Sequence, residues 1–253
     1  MLQTAIEAAR RAGRVIVDRY AVGHTVTVKG YRNIATEVDT AAEAVVLDLI
    51  RDRFPNHATL SEEAGGSGIG AGYTWVVDPL DGTTNYARQL PIFSVSIGLL
   101  EDGEPLIGVI YDPLRDHMFV AERGGGARLN GAPIHVSSVA RLDQSVVGLD
   151  WGHSDEERAR TIQTFLRVSS RCGTMRALGS AALALCYVAA GWQEAYFNLI
   201  MKPWDVAAGI LLVAEAGGRY STLQGETYHV DRPGCLTTNG RIHDELLDVM
   251  RDT

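Results

Sequence analysis

The sequence is poor in cysteine, in long apolar runs and in basic side chains. Its three cysteines, Cys172, Cys186 and Cys235, are odd in number, far apart and without C-x-x-C spacing. This argues against a regular disulfide framework and a cysteine-type zinc site, and we expect a protein of the reducing cytoplasm. The longest apolar stretch, around residues 181–190, is too short to cross a bilayer and predicts a buried helix. The amphipathic N-terminus does not resemble a signal peptide.

Acidic side chains outnumber basic ones by 31 to 23, and the net charge is −8 with histidine neutral. This balance argues against nucleic acid or an anionic membrane as the partner, because binding either one needs a basic face. It does not exclude an anionic small molecule, because a metal ion held by carboxylates can lie between the protein and the anion. The 253 residues suffice for one large or two small domains with a sizeable core.

Apolar periodicity predicts blocks of helix and of strand along the chain. Helices are expected over about residues 2–20, 40–53, 154–168, 181–190, 203–216 and 242–251, and strands over 75–77, 93–100, 106–111 and 118–121. Ser154 and Glu157 form a capping-box sequence, and Pro203 is well placed to open a helix. The pattern predicts mixed α and β structure in layers, with a candidate subdomain boundary near residue 145.

The most informative segment reads W-V-V-D-P-L-D-G-T-T-N from residue 75. Asp78 should end a buried strand, and Pro79 should end the strand pairing, so that the chain turns between Asp78 and Asp81. Gly82 lets the backbone approach a ligand closely, and the free N–H groups of a helix that starts at Thr83 would favour an anion such as phosphate. Two carboxylates beside an anion repel it unless hard cations such as Mg²⁺ lie between them.

The alternative for this segment is a capped turn whose carboxylates only bond backbone N–H groups. For an arbitrary D-P-x-D-G turn this alternative is favoured. The fuller pattern D-P-[IL]-D-G-[ST], however, arises by chance on the order of one time in 10⁴ to 10⁵ in a chain of this length at ordinary residue frequencies. The full pattern therefore favours a functional site.

In these residues the chain resembles the inositol monophosphatase family, a family of Mg²⁺-dependent, Li⁺-sensitive sugar and inositol phosphatases. The segment D-P-L-D-G-T-T from Asp78 is similar to its first signature, and W-D-V-A-A-G from Trp204, followed by E-A-G-G from Glu215, is similar to its second. The resemblance covers essentially the whole chain. It implies a layered α-β-α-β-α sandwich of the inositol monophosphatase/fructose-1,6-bisphosphatase type and a homodimer.

The resemblance also implies how the chain is divided and which residues hold metal. One compact unit would contain an N-terminal α+β subdomain, residues 1–145, with most metal ligands, and a C-terminal α/β subdomain, residues 146–253, that completes the active site. The site would hold two to three Mg²⁺ ions. The implied ligands are Glu62, Asp78 and the Leu80 carbonyl for the first ion and Asp78, Asp81 and Asp205 for the second, while Glu62 shares in a third.

Catalytic and substrate-binding roles follow from the same resemblance. The implied catalytic residues are Glu62, Thr83 and Asp39, of which Asp39 and Thr83 pair to orient or activate the attacking water. Backbone N–H groups of Gly82 and Thr83 would receive the phosphate. The residues implied to bind the substrate are Asp81, Gly179, Ser180, Ala181, Asn198 and Asp205, and Lys29 and Arg176 are two further candidates.

Taken alone, several of these residues have ordinary structural explanations. Glu62 and Glu63 could be a solvated acidic pair, and Asp205 could cap its own helix and complement the helix dipole. Asp39 could be the N-cap of the helix predicted from residue 40, and Lys29 could be a surface lysine. Together with the two signatures, the functional interpretation is preferred for each of them.

The substrate expected from the resemblance is a small polyol or sugar phosphate monoester, hydrolysed by metal-activated water. Members that prefer inositol usually carry a glutamate at the position of Asn198, and the amide removes that charged acceptor. Inositol 1-monophosphate, giving inositol and phosphate, is the best candidate. Fructose-1,6-bisphosphatase, histidinol-phosphatase and nucleotide 3′-phosphatase activities are the alternatives, and a regulatory binding protein without catalysis is the non-enzymatic one.

Overall fold

The computed structural model describes residues 1–66 and 68–251. These residues form seven α-helices: α1 Leu2–Tyr20, α2 Glu37–Arg53, α3 Thr83–Ala87, α4 Asp155–Ser169, α5 Ala181–Ala189, α6 Pro203–Glu215 and α7 His243–Arg251. The predicted helices are confirmed with small shifts of their ends. Helix α2 begins earlier than residue 40 because Thr36 is its N-cap and the Asp39 side chain closes a capping box on the Thr36 backbone. The interpretation of Asp39 as the N-cap was therefore wrong.

The strands form a hairpin and two larger sheets. In chain order the strands are β1 Val26–Gly30, β2 Asn33–Thr36, β3 Ala58–Ser61, β4 Gly65–Gly66, β5 Tyr73–Asp81, β6 Ser94–Glu101, β7 Glu104–Asp112, β8 His117–Glu122, β9 Ala127–Leu129, β10 Ala132–Pro133, β11 Val146–Leu149, β12 Thr174–Arg176, β13 Ala195–Asn198, β14 Arg219–Ser221 and β15 Cys235–Thr238. Strands β1 and β2 pair with each other. The first sheet has the order β10-β9-β8-β7-β6-β5-β3-β4, and the second has the order β12-β11-β13-β15-β14.

Two strand predictions need correction. Strand β5 continues through Pro79 to Asp81, because a register shift against β6 between Asp78 and Asp81 accommodates the proline. The expectation that pairing ends at Pro79 was wrong. The second sheet lies in a part of the chain whose pattern was interpreted as helical, since its strands have only three or four residues each.

The helices and sheets alternate in five layers, as the fold class predicted. Helices α1 and α2 cover one face of the first sheet and meet Trp75 and Val77, whereas Val76 points to the opposite face and packs with α5 and α6. Helices α5 and α6 also contact the second sheet, whose other face packs against α4 and α7. The α-β-α-β-α sandwich is therefore confirmed. The division into subdomains at residue 145 stays a prediction.

Helix α6 lies unusually close to the first sheet. A Cβ atom on Gly108 would be 2.5 Å from the Ala208 carbonyl oxygen, and one on Gly98 would be 3.0 Å from the Ala207 Cβ. Glycine is needed at both strand positions because any side chain would push the helix away. This contact fixes the N-terminal turn of α6, which carries Asp205. None of the helices in the described residues is long and apolar enough to cross a membrane.

Candidate active site

The site begins at the end of β5, where the two aspartates of the D-P-L-D segment are almost completely buried. Asp78 is 2% exposed and Asp81 is 7% exposed. The bulge at Pro79 and Leu80 places both carboxylates at one end of the strand, and Asp78 Oδ1 accepts a hydrogen bond from the Leu80 N–H at 3.0 Å. The Leu80 side chain is fully buried in the core and anchors the bulge.

Gly82 connects the strand to the short helix α3, and only glycine suits this position. Its φ is 89°, and a Cβ there would lie 2.9 Å from the Ile92 carbonyl oxygen and 3.2 Å from that of Gly179. An L residue would be strained by the left-handed backbone conformation, and its Cβ would clash with these two carbonyl oxygens. Gly82, where the phosphate is predicted to bind, therefore packs directly against Gly179 in the segment that precedes α5.

Asp39 and Thr83 are in contact, as the resemblance implied. Asp39 is buried, and its Oδ2 accepts bonds from the Thr36 N–H (2.8 Å) and hydroxyl (2.6 Å). The Thr83 hydroxyl lies 2.9 Å from Asp39 Oδ1 and 3.0 Å from the Leu80 carbonyl oxygen. Burial raises the pKa of Asp39, and the bonds from Thr36 and Thr83 oppose that rise.

Asp81 is held by the N-terminus of α5. The Ser180 hydroxyl and the Ala182 N–H (3.2 Å) donate to its Oδ2, the Ala181 N–H donates to Oδ1 at 3.1 Å, and the Ser94 hydroxyl donates at 3.2 Å. Burial raises the pKa of Asp81 despite these donors. A carboxylate at the end of the first sheet is thus fixed by the helix that lies between the two sheets.

Glu62 belongs to a loop that another buried carboxylate organises. Glu43, on α2, is 4% exposed, and its Oε1 accepts a hydrogen bond from the Ser61 hydroxyl. The same oxygen accepts hydrogen bonds from the Glu63 N–H and the Ala64 N–H, both at 3.1 Å. Lys29 Nζ, from the β1–β2 hairpin, binds Glu62 at 3.1 Å and also Glu63. Glu43 was not predicted as a site residue, because nothing near it in sequence indicates its contact with this loop.

Asp205 occupies the third position of α6, and its Oδ2 accepts a bond from the Lys202 N–H at 2.7 Å. Burial, together with Asp81 and Glu62, raises the pKa of Asp205 to about 8. Burial also raises the pKa of Asp78 well above its usual value, and Glu62, Asp81 and Asp205 add to the rise. The four acidic side chains therefore lie close enough to repel one another.

These residues surround one cavity of about 400 Å³. The expected site residues in its wall are Glu62, Asp78, Leu80, Asp81, Gly82, Thr83, Gly179, Ala181, Asn198 and Asp205. Asp39 and Ser180 lie behind the wall and contact it through Thr83 and Asp81. Lys29 reaches it only through Glu62. Arg176 lies outside, where its guanidinium binds the Thr174 hydroxyl and the Met175 carbonyl.

The donor set is suited to a hard cation, although the side chains do not form a ready-made cage. Carboxylate and carbonyl oxygens are the ligands that Mg²⁺ prefers. Within residues 1–66 and 68–251, no three His, Cys, Asp or Glu side chains have the mutual arrangement of a metal site. Three of the acidic side chains have partners within the protein: Asp81 is bound by α5, Glu62 by Lys29, and Asp205 by the Lys202 N–H.

The cavity has a second wall that was not predicted from the sequence. It includes Asp150 and Trp151, directly after β11, together with Arg158 and Lys202. Burial raises the pKa of Asp150 to about 7. Asp150 could have been found from the sequence, because an acidic residue directly after an apolar strand is a candidate site residue. The apolar run at residues 146–149 had not been predicted as a strand.

Comparisons with known proteins agree with the fold. The Inositol monophosphatase family model matches residues 1–252. The chain is 40% identical to Nus factor SuhB of Salmonella typhimurium, covering 100% of this chain and 96% of that protein, and 38% identical to inositol-1-monophosphatase of Synechocystis sp., covering 100% and 89%. The crystal structure of the extragenic suppressor protein suhB from Bartonella henselae superposes with a TM-score of 0.94 at 32% identity, covering 99% of this chain and 98% of that one.

Proposed function

This chain belongs to the inositol monophosphatase family, and on that premise we propose that it hydrolyses a small polyol or sugar phosphate monoester with the help of two to three Mg²⁺ ions. Inositol 1-monophosphate is the best candidate substrate. One observation carries the proposal: four acidic side chains, Glu62, Asp78, Asp81 and Asp205, line the same cavity as the Gly82–Thr83 backbone. Such a pocket would attract cations first and a phosphate through them.

The residues present fit Mg²⁺ by the chemistry of their oxygens and by their mutual repulsion. Glu62, Asp78 and the Leu80 carbonyl would hold one ion, Asp78, Asp81 and Asp205 a second, and Glu62 would share in a third. When bound, the ions would neutralise the phosphate and lower the pKa of an attacking water. Binding would exchange some of the hydrogen bonds described above for cation contacts and would relieve the repulsion that raises the pKa of Asp78.

Thr83 and Asp39 would orient the attacking water. The Thr83 hydroxyl can donate to Asp39 Oδ1, which leaves its oxygen free to accept a hydrogen bond from the water. Asp39 is fixed by Thr36 and cannot turn away. The N–H groups at the start of α3 lack acceptors within the helix and would bind the phosphate oxygens. No serine, cysteine or histidine nucleophile is needed, because phosphoryl transfer depends mainly on positioning and charge neutralisation.

The test is phosphate release from a panel of phosphate monoesters by the purified protein with Mg²⁺, expressed as kcat/KM. The panel contains inositol 1-phosphate, fructose 1,6-bisphosphate, histidinol phosphate and a nucleotide 3′-phosphate, so that it separates the alternatives. We expect activity that collapses in Asp81→Asn, whereas Asp143→Asn, at an exposed position outside the cavity, keeps it. A folded wild-type protein that releases phosphate from none of these esters would refute the proposal.

A second candidate function is supported by the name of the relatives at 40% identity, Nus factor SuhB. The chain would then act as a regulatory factor that binds another macromolecule without catalysis. The same panel distinguishes the two, because a purely binding role predicts no phosphate release. We further propose a homodimer in the cytoplasm and inhibition by Li⁺. Light scattering that gives the monomer mass at working concentration would contradict the homodimer.

A further inference from the structure

Two neighbouring parallel strands of the second sheet end at the wall of the cavity. In the register of β11 with β13, Gly148 lies opposite Tyr196 and Leu149 opposite Phe197. Asp150 follows β11, and Asn198 is the last residue of β13, so the two residues lie side by side at the carboxyl ends of adjacent strands. Ligands of α/β sheets bind at such edges. Both residues line the cavity.

Asn198 is already engaged with the protein. Its Oδ1 accepts a hydrogen bond from the Ile200 N–H at 3.0 Å, and its Nδ2 donates to the Tyr196 hydroxyl at 3.4 Å. An amide carries no charge, and here its oxygen fixes the turn after β13 while its nitrogen orients Tyr196. Asn198 therefore does not supply a carboxylate acceptor to a ligand in the cavity.

Asp150 has acceptor capacity left. Its Oδ1 accepts the Gly179 N–H at 2.9 Å and its Oδ2 accepts the Tyr196 hydroxyl at 2.9 Å. A carboxylate has about four lone-pair sites, so two of them are free for a ligand. Tyr196 is buried, and its hydroxyl holds the carboxyl group in one orientation. The Asp150 side chain itself is partly exposed at the cavity wall.

The position of Asp150 relative to the phosphate end fits a contact with the alcohol part of an ester. Asp150 binds the N–H of Gly179, and the Gly179 carbonyl oxygen lies 3.2 Å from where a Cβ of Gly82 would be. Gly82 marks the end of the cavity that would receive the phosphate. Asp150 and Gly82 both lie against Gly179, so an ester whose phosphate is bound at Gly82 could bring its alcohol part to Asp150.

We infer that Asp150 is a substrate-contacting specificity residue whose carboxylate accepts hydrogen bonds from hydroxyl groups of a polyol phosphate, and that Tyr196 is its positioning residue. The inference rests on the proposed function and narrows it to phosphate monoesters whose alcohol carries further hydroxyl groups. An ester of a simple phenol offers no such donor and gains nothing from Asp150.

The test compares kcat/KM for inositol 1-phosphate with kcat/KM for p-nitrophenyl phosphate, both with Mg²⁺, in the wild type, Asp150→Asn and Asp143→Asn. We expect Asp150→Asn to lower the ratio of the two values about tenfold or more, mainly through KM for inositol 1-phosphate, because a hydrogen bond to a charged acceptor is lost. Asp143→Asn removes the same charge from an exposed site outside the cavity and leaves the ratio unchanged.

Tyr196→Phe is the second variant, and it keeps the buried ring while removing the hydroxyl that orients Asp150. In Tyr196→Phe the ratio of kcat/KM for inositol 1-phosphate to kcat/KM for p-nitrophenyl phosphate should fall, but by less than in Asp150→Asn. An equal loss of kcat/KM for both esters in Asp150→Asn would mean that Asp150 only holds the Gly179 backbone, and it would overturn the inference, as would an unchanged ratio. A wild-type protein that hydrolyses neither ester refutes the proposed function itself. If the wild type is active but the ratio does not change in Asp150→Asn, only the role of Asp150 is refuted.

Discussion

The Ser180 hydroxyl donates a hydrogen bond to Asp81 although 99 residues separate them in the chain. Ser180 is also the N-cap of α5, where its oxygen accepts the Leu183 N–H at 3.3 Å. One hydroxyl thus joins the acidic end of the first sheet to the N-terminus of α5, the helix that lies between the two sheets.

The first prediction concerns this hydroxyl. We expect Ser180→Ala to lower the free energy of unfolding by about 2 kcal/mol, because a helix cap and a donor to a buried carboxylate are lost together. Urea denaturation measures the change. The exposed Ser169 at the end of α4 provides the matched control, and Ser169→Ala should change stability by less than about 0.5 kcal/mol. Equal stabilities of the two variants would contradict the role of Ser180.

The second prediction concerns the contact between Thr83 and Asp39. Thr83→Ala removes the hydroxyl that would orient the attacking water, so kcat should fall about 10²–10⁴-fold with little change in KM. Thr83→Ser keeps the hydroxyl and should retain kcat within about tenfold. Steady-state kinetics with the best substrate of the panel measures kcat and KM for both variants. A Thr83→Ala variant with wild-type kcat would exclude this role.

The third prediction concerns Glu43 as the organiser of the loop that carries Glu62. Glu43→Ala removes the acceptor of the Glu63 and Ala64 N–H groups and leaves the Ser61 hydroxyl only the Val77 carbonyl at 3.3 Å, so the loop should relax. The expected result is a Mg²⁺ affinity about 10–100-fold weaker, as for other groups that support metal ligands. Calorimetric titration with Mg²⁺ measures it without any substrate. Glu156→Ala, at an exposed position on α4, should bind Mg²⁺ like the wild type.

The fourth prediction concerns the pH dependence of stability. His243 is buried, with the Ser221 hydroxyl 3.0 Å from Nε2 and the Thr238 hydroxyl 2.9 Å from Nδ1. Burial lowers the pKa of His243 from 6.5 to about 4. The unfolded chain then binds the proton more readily, so the contribution of His243 to stability is complete above about pH 6.5 and is lost as the pH falls toward about 4. Urea denaturation across this range should show a steeper loss for the wild type than for His243→Gln, and parallel curves would contradict this.

The fifth prediction concerns the repulsion among the site carboxylates. With a chelator present, Asp78→Asn should be more stable than the wild type near neutral pH, because it removes a buried charge while its amide oxygen can still accept the Leu80 N–H. Added Mg²⁺ at 100 times its Kd should stabilise the wild type by about 2.7 kcal/mol and the variant by less. Thermal unfolding with and without Mg²⁺ measures both effects. Equal Mg²⁺ shifts in the two proteins would contradict a role of Asp78 in metal binding.

Much of the fold was predictable because its long elements carry strong local signals. The apolar periodicity of α1 and the capping-box sequence of α4 depend only on neighbouring residues. The second sheet gave no such signal, because β12 and β14 have three residues each and become strands only through their pairing partners. Similarly, Pro79 removes one backbone donor, but whether the strand ends there depends on β6.

The residues of the candidate site also differ in how easily they are predicted from the sequence. Asp78, Asp81, Gly82 and Thr83 are adjacent in sequence, so a short motif indicates their shared chemistry. Glu43 and Asp150 are isolated acidic residues in sequence, and their contacts with the Glu62 loop and with Gly179 arise only in the folded chain. A single sequence therefore indicates residues that share a short motif, such as those after β5, better than isolated residues such as Glu43 and Asp150.

The order of the site residues along the chain bears on how the protein is made. Asp39, Glu62, Asp78 and Asp81 are synthesised early, while the donors of α5 and the Asp205 carboxylate come more than 90 residues after Asp81. Since domains generally fold as units as the chain is synthesised, a nascent chain that ends before α5 would present its acidic strand end without the helix that covers it. The pocket would therefore be completed only after residue 205 has left the ribosome, and truncated translation products should be unable to form it.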